Sequence, residues 1–388
     1  MIAVVGIGVD GWDGLSPAAR AEVESAQVLM GNARQLEMVP GEFERIAWPS
    51  PMLPALPGLF EANRHRRVCV LASGDPLFHG IGSTLIRILG RDRVRVVPHP
   101  SSVSLACARL GWAVDDVDVV SMVARPVELL HPVLHPGRRV LVLGSTPSAV
   151  VELLASRGYG SSVVTVLERL GGPGERVHGD LSSVDPLHVL AIECVGTAVR
   201  SRAPGLPDDA YEHDGQLTKR EVRAVTLAQL APVPGQLLWD VGAGAGSIAI
   251  EWARVHPACR ALGIEHHAER AERIARNARA LGVPGVRVVV GKAPEALVGL
   301  ERPSAVFIGG GLTVPGVVEA CWQALLPGGR LVANAVTMES EAVIAKWYPE
   351  LGGDVTRIAI NRGSPVGGFT GWRPHLPVTT WAVTKEAE

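Results

Sequence analysis

The feature that most constrains this chain is a repeated alternation of short β-branched runs with Ala/Leu/Arg-rich helical stretches, on both sides of one break. Such alternation, bounded by turns, is the signature of βα units and a mostly parallel sheet, so both halves are expected to be α/β. In the first half the runs fall at 2–5, 68–71, 94–97, 117–120, 140–143, 163–167 and 189–194. In the second they fall at 237–241, 261–264, 286–290, 305–308, 330–336, 355–360 and 378–383, which predicts a seven-stranded sheet whose last two strands form an antiparallel edge pair. The break is the segment 196–215, where apolar periodicity stops and Pro, Gly and Asp accumulate. It predicts a first domain over 1–200, a linker over 201–213 and a second domain over 214–388. The length of 388 residues agrees, at about 150 residues per domain.

Charge removes several function classes. The 37 basic and 39 acidic residues leave a net charge of −2, without the dense positive field that nonspecific nucleic-acid binding needs. No nucleic-acid partner is therefore expected. Every lysine (Lys219, Lys292, Lys346, Lys385) lies in the second half, so the first cannot use Schiff-base chemistry. The five cysteines are odd in number and widely spaced, and read as buried reduced thiols rather than a disulfide framework or a CxxC metal site. The N-terminus lacks a basic region followed by an apolar core, and no run of 18 apolar residues occurs, so a cytoplasmic protein without a membrane partner is expected.

The sharpest local signal lies in the second half. The run 237–241 leads into Gly242-Ala243-Gly244-Ala245-Gly246 and then a helix, a loop whose glycines let the backbone turn tightly and approach a ligand, with free helix N–H groups behind it. Glu265 closes the next strand, where a carboxylate can accept two ribose hydroxyls, so the spacing fits a nucleoside. Asp240, just before the loop, would repel a pyrophosphate but suits the ammonium and sulfonium end of S-adenosylmethionine. This pattern resembles the Rossmann-like, seven-stranded class of S-adenosylmethionine-dependent methyltransferases. With the stretches 217–223, 291–295 and 307–311 it resembles the precorrin C15-methyltransferase/decarboxylases of cobalamin biosynthesis. That resemblance implies a cofactor pocket lined by Thr218, Gly242 to Gly246, Glu265 and Ala293. Read alone, Thr218 is equally a helix cap, because Thr218-Lys219-Arg220-Glu221 has the form of a capping box.

In the first half, Gly74-Asp75-Pro76 follows a strand and precedes a helix, but its glycine pattern is not a Rossmann fingerprint. Together with the stretches 4–8, 100–106 and 168–176 it resembles the tetrapyrrole methyltransferase family, whose members bind S-adenosylmethionine between two α/β lobes. Within that family the resemblance is to precorrin C5-methyltransferases. It implies a cofactor loop of Gly74, Asp75 and Pro76 with Ser101 and Ser102 beside it, Asp75 contacting cofactor or orienting substrate. One departure is Val123-Ala124-Arg125, where a His-Gly-Arg is expected, so only the arginine is kept.

Joined in one chain, the two resemblances imply a bifunctional enzyme that converts precorrin-6B and two S-adenosylmethionine molecules to precorrin-8x, methylating C5 and C15 and removing the carboxyl of the C12 acetate. Two cofactor sites per chain, no metal and a homo-oligomer are expected. The chemistry needs no triad, because electron-rich meso carbons meet an already activated methyl and the protein mainly aligns them and excludes water. A polycarboxylate substrate suits arginine forks, with Arg220, Arg223 and Arg373 as candidates. His266-His267 beside Glu265 could suggest metal ligands, but adjacent residues at a helix start point apart. Two other readings remain: an RNA or tRNA methyltransferase, which the neutral charge disfavours, and an S-adenosylmethionine sensor without turnover.

Overall fold

The computed structural model describes residues 1–387 and divides into two compact units, Met1–Val127 with Val133–Ala198, and Glu128–Pro132 with the chain from Val199. The first unit holds two five-stranded sheets. One is built from β1 (Ile2–Ile7), β2 (Val28–Gly31), β3 (Glu44–Ala47), β4 (Val68–Ser73) and β5 (Val94–Val97), all parallel, in the order β3-β2-β4-β1-β5. All six residues of β1 are buried, as a parallel strand covered on both faces requires. The other sheet is mixed: β6 (Val117–Ser121), β7 (Arg139–Leu143), β8 (Val163–Glu168), β9 (Arg176–His178) and β10 (His188–Glu193), in the order β6-β7-β10-β8-β9. The strands β2, β3 and β9 are absent from the sequence expectation. β2 and β3 have four residues each and β9 only three, too short for a periodic signal.

The second unit has the seven-stranded sheet. Its strands are β11 (Leu237–Val241), β12 (Arg260–Glu265), β13 (Arg287–Val290), β14 (Ala305–Ile308), β15 (Arg330–Ala335) and β16 (Asp354–Ile358), then the separate hairpin β17 (Asn361–Val366) and β18 (Phe369–Pro374), then β19 (Val378–Thr384). The order is β13-β12-β11-β14-β15-β19-β16, so β19 inserts antiparallel between β15 and β16, and of the two strands expected as an edge pair β16 is the one at the edge. Tight packing on both faces, around Trp252 and Phe307 on one side and Trp239 and Trp381 on the other, buries β11 and β14 completely. All five cysteines are free and buried, and burial pushes the Cys69 and Cys321 thiols up to about 12, which removes them as nucleophiles. Among the described residues no helix is long and apolar enough to cross a membrane.

The segment expected as a linker is instead fastened to the second unit. Leu206 and Tyr211 are buried in its core, and Glu251 on the helix Ser247–Val255 gathers the segment. The Glu251 carboxylate accepts from the Gly205 N–H (2.6 Å), the Leu206 N–H (3.1 Å), the Tyr211 hydroxyl (2.8 Å) and Arg223 Nε (2.6 Å). Arg223 is fully buried and also donates to the carbonyls of Leu206 and Thr218 and to Asp208. Removing one partner of such a buried pair strands the other charge, at a cost of about 3–5 kcal/mol. Arg223→Met is therefore expected to destabilise the second unit by about that amount, measured as a shift in its denaturant midpoint.

Candidate functional site

In the second unit the site forms where the parallel strands end. β11 and β14 run side by side in register Val241↔Ile308, so the turns that follow them meet. Gly242 has φ of +71°, and a Cβ there would lie 2.6 Å from the Gly310 Cα, so this contact admits no side chain. Above it opens a cavity of about 550 Å³. Of the residues expected at a cofactor pocket, Thr218, Asp240, Gly242, Ala243, Gly244, Glu265 and Ala293 line it. Ala245 and Gly246 do not: Ala245 is buried, and Gly246 packs against Ile274, where it lets the loop close on the neighbouring helix.

Glu265, at the end of β12, is buried and turned toward the loop. Its Oε2 accepts from the Gly244 N–H (2.9 Å) and its Oε1 from the His267 N–H (3.0 Å), with His266 Nδ1 at 3.2 Å. Glu265, His266 and His267 bring three possible metal-ligand atoms within 4.8 Å of one another, although both carboxylate oxygens already accept backbone N–H groups. Asp240 is 1% exposed; its Oδ2 accepts from the Ala249 N–H (3.0 Å), and its Oδ1 is buried without a hydrogen-bond partner. A buried acceptor left open in a cavity wall invites a cationic donor.

The three candidate anchoring arginines lie elsewhere. Arg223 is consumed by the Glu251 network, Arg220 donates to the Gly205 carbonyl (2.8 Å), and Arg373 sits in the exposed strand β18. None is among the residues that line the cavity. The cations that do line it are Lys219, Arg270 and Lys292, with His266 and His375. Arg270 is held by Asp214 (2.8 Å), a pairing that with Arg273 keeps the Asp214 carboxyl well below its usual range. Lys219 and Lys292 stood beside Thr218 and Ala293 in the motifs already noted, and adjacency was the signal that could have found them. Arg270 and His375 carry no such signal.

In the first unit Gly74 follows β4, and its N–H donates to the Ile7 carbonyl (3.1 Å). Asp75 Oδ1 accepts from the Leu77 N–H (2.8 Å), Pro76 packs under Gly80 and Gly82, and Ser101 caps the helix Ser102–Leu110 by accepting from the Ser104 N–H (3.0 Å). A cavity of about 310 Å³ lies nearby, lined by Gly6, Asp10, Ser16, His99, Pro100 and Gly171, among others. Gly74, Asp75, Pro76, Ser101 and Ser102 do not line it but border it through Gly6, whose added Cβ would meet the Gly74 carbonyl oxygen, and through Pro100. Asp10 and His99 belong to no motif recognised in the sequence.

Comparison with known proteins agrees with this division. Residues 1–185 match the family model described as Tetrapyrrole (Corrin/Porphyrin) Methylases, and residues 209–385 match the one described as Precorrin methyltransferase domain. Fold, site and family models together define a two-unit methyltransferase. Over 403 residues, 99% of this chain and all of the relative, the chain is 49% identical to the Precorrin-6Y C(5,15)-methyltransferase (decarboxylating) of Mycobacterium tuberculosis (strain ATCC 25618 / H37Rv). It is 37% identical over 174 residues to the Probable cobalt-precorrin-6B C(15)-methyltransferase (decarboxylating) of Pyrobaculum calidifontis (43% of this chain, 89% of the relative). It is 32% identical over 181 residues to the Cobalt-precorrin-7 C(5)-methyltransferase of Salmonella typhimurium (46% of this chain, 89% of the relative). The chain belongs to the family of decarboxylating precorrin-6Y C(5,15)-methyltransferases.

Asp240 gives a pH test of the second site. Burial, with a smaller contribution from the Glu265 charge, raises its carboxyl to about 7 against the Ala249 N–H. The native state therefore keeps this proton at pH values where the unfolded chain has lost it, and the group's contribution to stability falls as pH rises from about 4 to about 7. Asp240→Asn lacks that loss. Urea unfolding at about pH 5 and about pH 8 should show the variant gaining a few kcal/mol on the wild type at the higher pH.

Proposed function

We propose that this enzyme methylates precorrin-6B at C5 and C15 and releases the carboxyl of the C12 acetate as carbon dioxide, giving precorrin-8x. S-adenosylmethionine would be used at two sites, one in each unit. The observation that carries this reading is the full-length relationship to a relative named for both positions and for decarboxylation. The separate C15- and C5-methyltransferase relatives, each matched by under half of this chain, support a division in which the second unit handles C15 with decarboxylation and the first handles C5.

The residues of the second cavity fit the cofactor. Glu265 would take the ribose hydroxyls, the Gly242–Gly244 backbone would lie against the nucleoside, and the open Asp240 Oδ1 would accept from the ammonium. When bound, S-adenosylmethionine supplies a methyl group already activated by its sulfonium. The protein's part is positional: it holds the ring carbon in line and keeps water out. Lys219, Arg270 and Lys292 would hold substrate carboxylates, while loss of the acetate carboxyl is drawn by electron flow into the adjacent conjugated ring. In the first unit, Gly74, Asp75 and Pro76 with Ser101 and Ser102 would form the cofactor side of the cleft.

Two variants separate the halves. Gly244 has φ of +59° with the Gln216 carbonyl oxygen 3.1 Å from an added Cβ, so Gly244→Arg should block the second site and abolish carbon dioxide release. Gly74 has φ of +56°, and Gly74→Arg should block the first site, leaving a decarboxylated, singly methylated product. Mass spectrometry of the products checks both. Carbon dioxide release unaffected by Gly244→Arg would refute the division.

A further inference from the structure

The first unit's cavity contains an ionisable pair that the reading above does not use. β1 and β5 pair in parallel, in register Val5↔Val97, so the segments leaving their C-terminal ends emerge side by side. One carries Asp10 and the other His99, and His99 Nε2 lies 3.3 Å from Asp10 Oδ1. Both line the cavity of about 310 Å³, and they are the only ionisable side chains among its lining residues. The His99 side chain is one-tenth exposed and that of Asp10 30%.

The surrounding backbone is cut back to make room for them. A Cβ at Gly8 would lie 2.4 Å from Asp10 Oδ1 and 2.6 Å from His99 Nε2, and one at Gly14 would lie 1.9 Å from Asp10 Oδ2. Asp10 Oδ1 is nevertheless buried with no well-formed hydrogen bond. Burying a carboxylate oxygen without a proper donor is costly, and an unsatisfied one in a cavity wall calls for an explanation, of which a catalytic role is one.

We propose that Asp10 is the proton acceptor of the first unit's methylation and that His99 is its positioning residue, an inference that rests on reading this unit as the C5-methylating half. Replacing hydrogen by methyl on a ring carbon requires a proton to leave. The C–CH₃ bond forms from a π pair of the macrocycle, and the S–CH₃ bond breaks with its pair left on sulfur. The C–H bond then breaks with its pair returning to the conjugated system. The Asp10 carboxylate takes that proton through Oδ2, while the His99 Nε2–H turns onto Oδ1 and holds the carboxylate toward the ring carbon. A positioned base of this kind contributes about 10²–10⁴-fold.

The test uses the full-length chain with precorrin-6B, as normal substrate and deuterated at C5. Asp10→Asn should slow C5 methylation by about 10²-fold or more and raise the primary deuterium isotope effect, because proton removal becomes limiting. S-adenosylmethionine affinity by titration and carbon dioxide release from the second unit should stay unchanged, which shows the fold is intact. His99→Gln, which keeps an N–H donor, should retain most of the rate, whereas His99→Leu should lose it. C5 methylation within threefold of wild type in Asp10→Asn, or an unchanged isotope effect, overturns the proposal. Gly74→Arg is the separating arm: if it leaves C5 methylation intact, the reading of the first unit fails, not the pair alone.

Discussion

The contact between Gly242 and Gly310 is the constraint on which the second unit's site depends. Two parallel strands end side by side, and their following turns touch so closely that a Cβ on Gly242 would lie 2.6 Å from the Gly310 Cα. That closeness makes the cavity floor out of backbone. Glu265 can then reach the Gly244 N–H from the next strand, and Asp240 can be buried two residues before Gly242 with an oxygen still open. A side chain at the crossing would push the two turns apart and remove the surface against which a flat nucleoside can lie.

The first unit solves a comparable problem with different parts. Its parallel sheet also opens at the strand ends, but the cavity wall is assembled from turns after β1 and β5 together with the segment after β8 that contributes Leu170 and Gly171. No lysine exists in this half, and the ionisable groups facing its cavity are one carboxylate and one imidazole. The second cavity instead carries lysines and an arginine beside Glu221, Asp240 and Glu265. The contrast suits two different tasks, substitution at a carbon in one and substitution with loss of a carboxylate in the other.

Much of the fold was legible because buried parallel strands are short, mostly apolar runs: β4, β11 and β14 each stand out between turns. The hairpin β17–β18 was not, since its exposed strands contain Gly363, Pro365, Gly371 and Pro374, residues that read as loop. The glycine loop and Glu265 were legible because neighbouring strands in sequence are neighbours in the sheet. The structure places Arg223 away from the cavity for a physical reason the sequence does not show: a charge in a motif can be there to bind its own chain, as Arg223 binds Glu251. Asp10 and His99 were invisible because 89 residues separate them in the sequence (99 − 10) and only the β1–β5 pairing joins them.

The central claim is that one chain holds two independent cofactor sites. Calorimetric titration of S-adenosylmethionine into the full-length protein tests it most directly. Two sites per chain are expected, with one lost in Gly74→Arg and the other in Gly244→Arg. A single site per chain in the wild type, or loss of all binding from either substitution alone, would contradict the account.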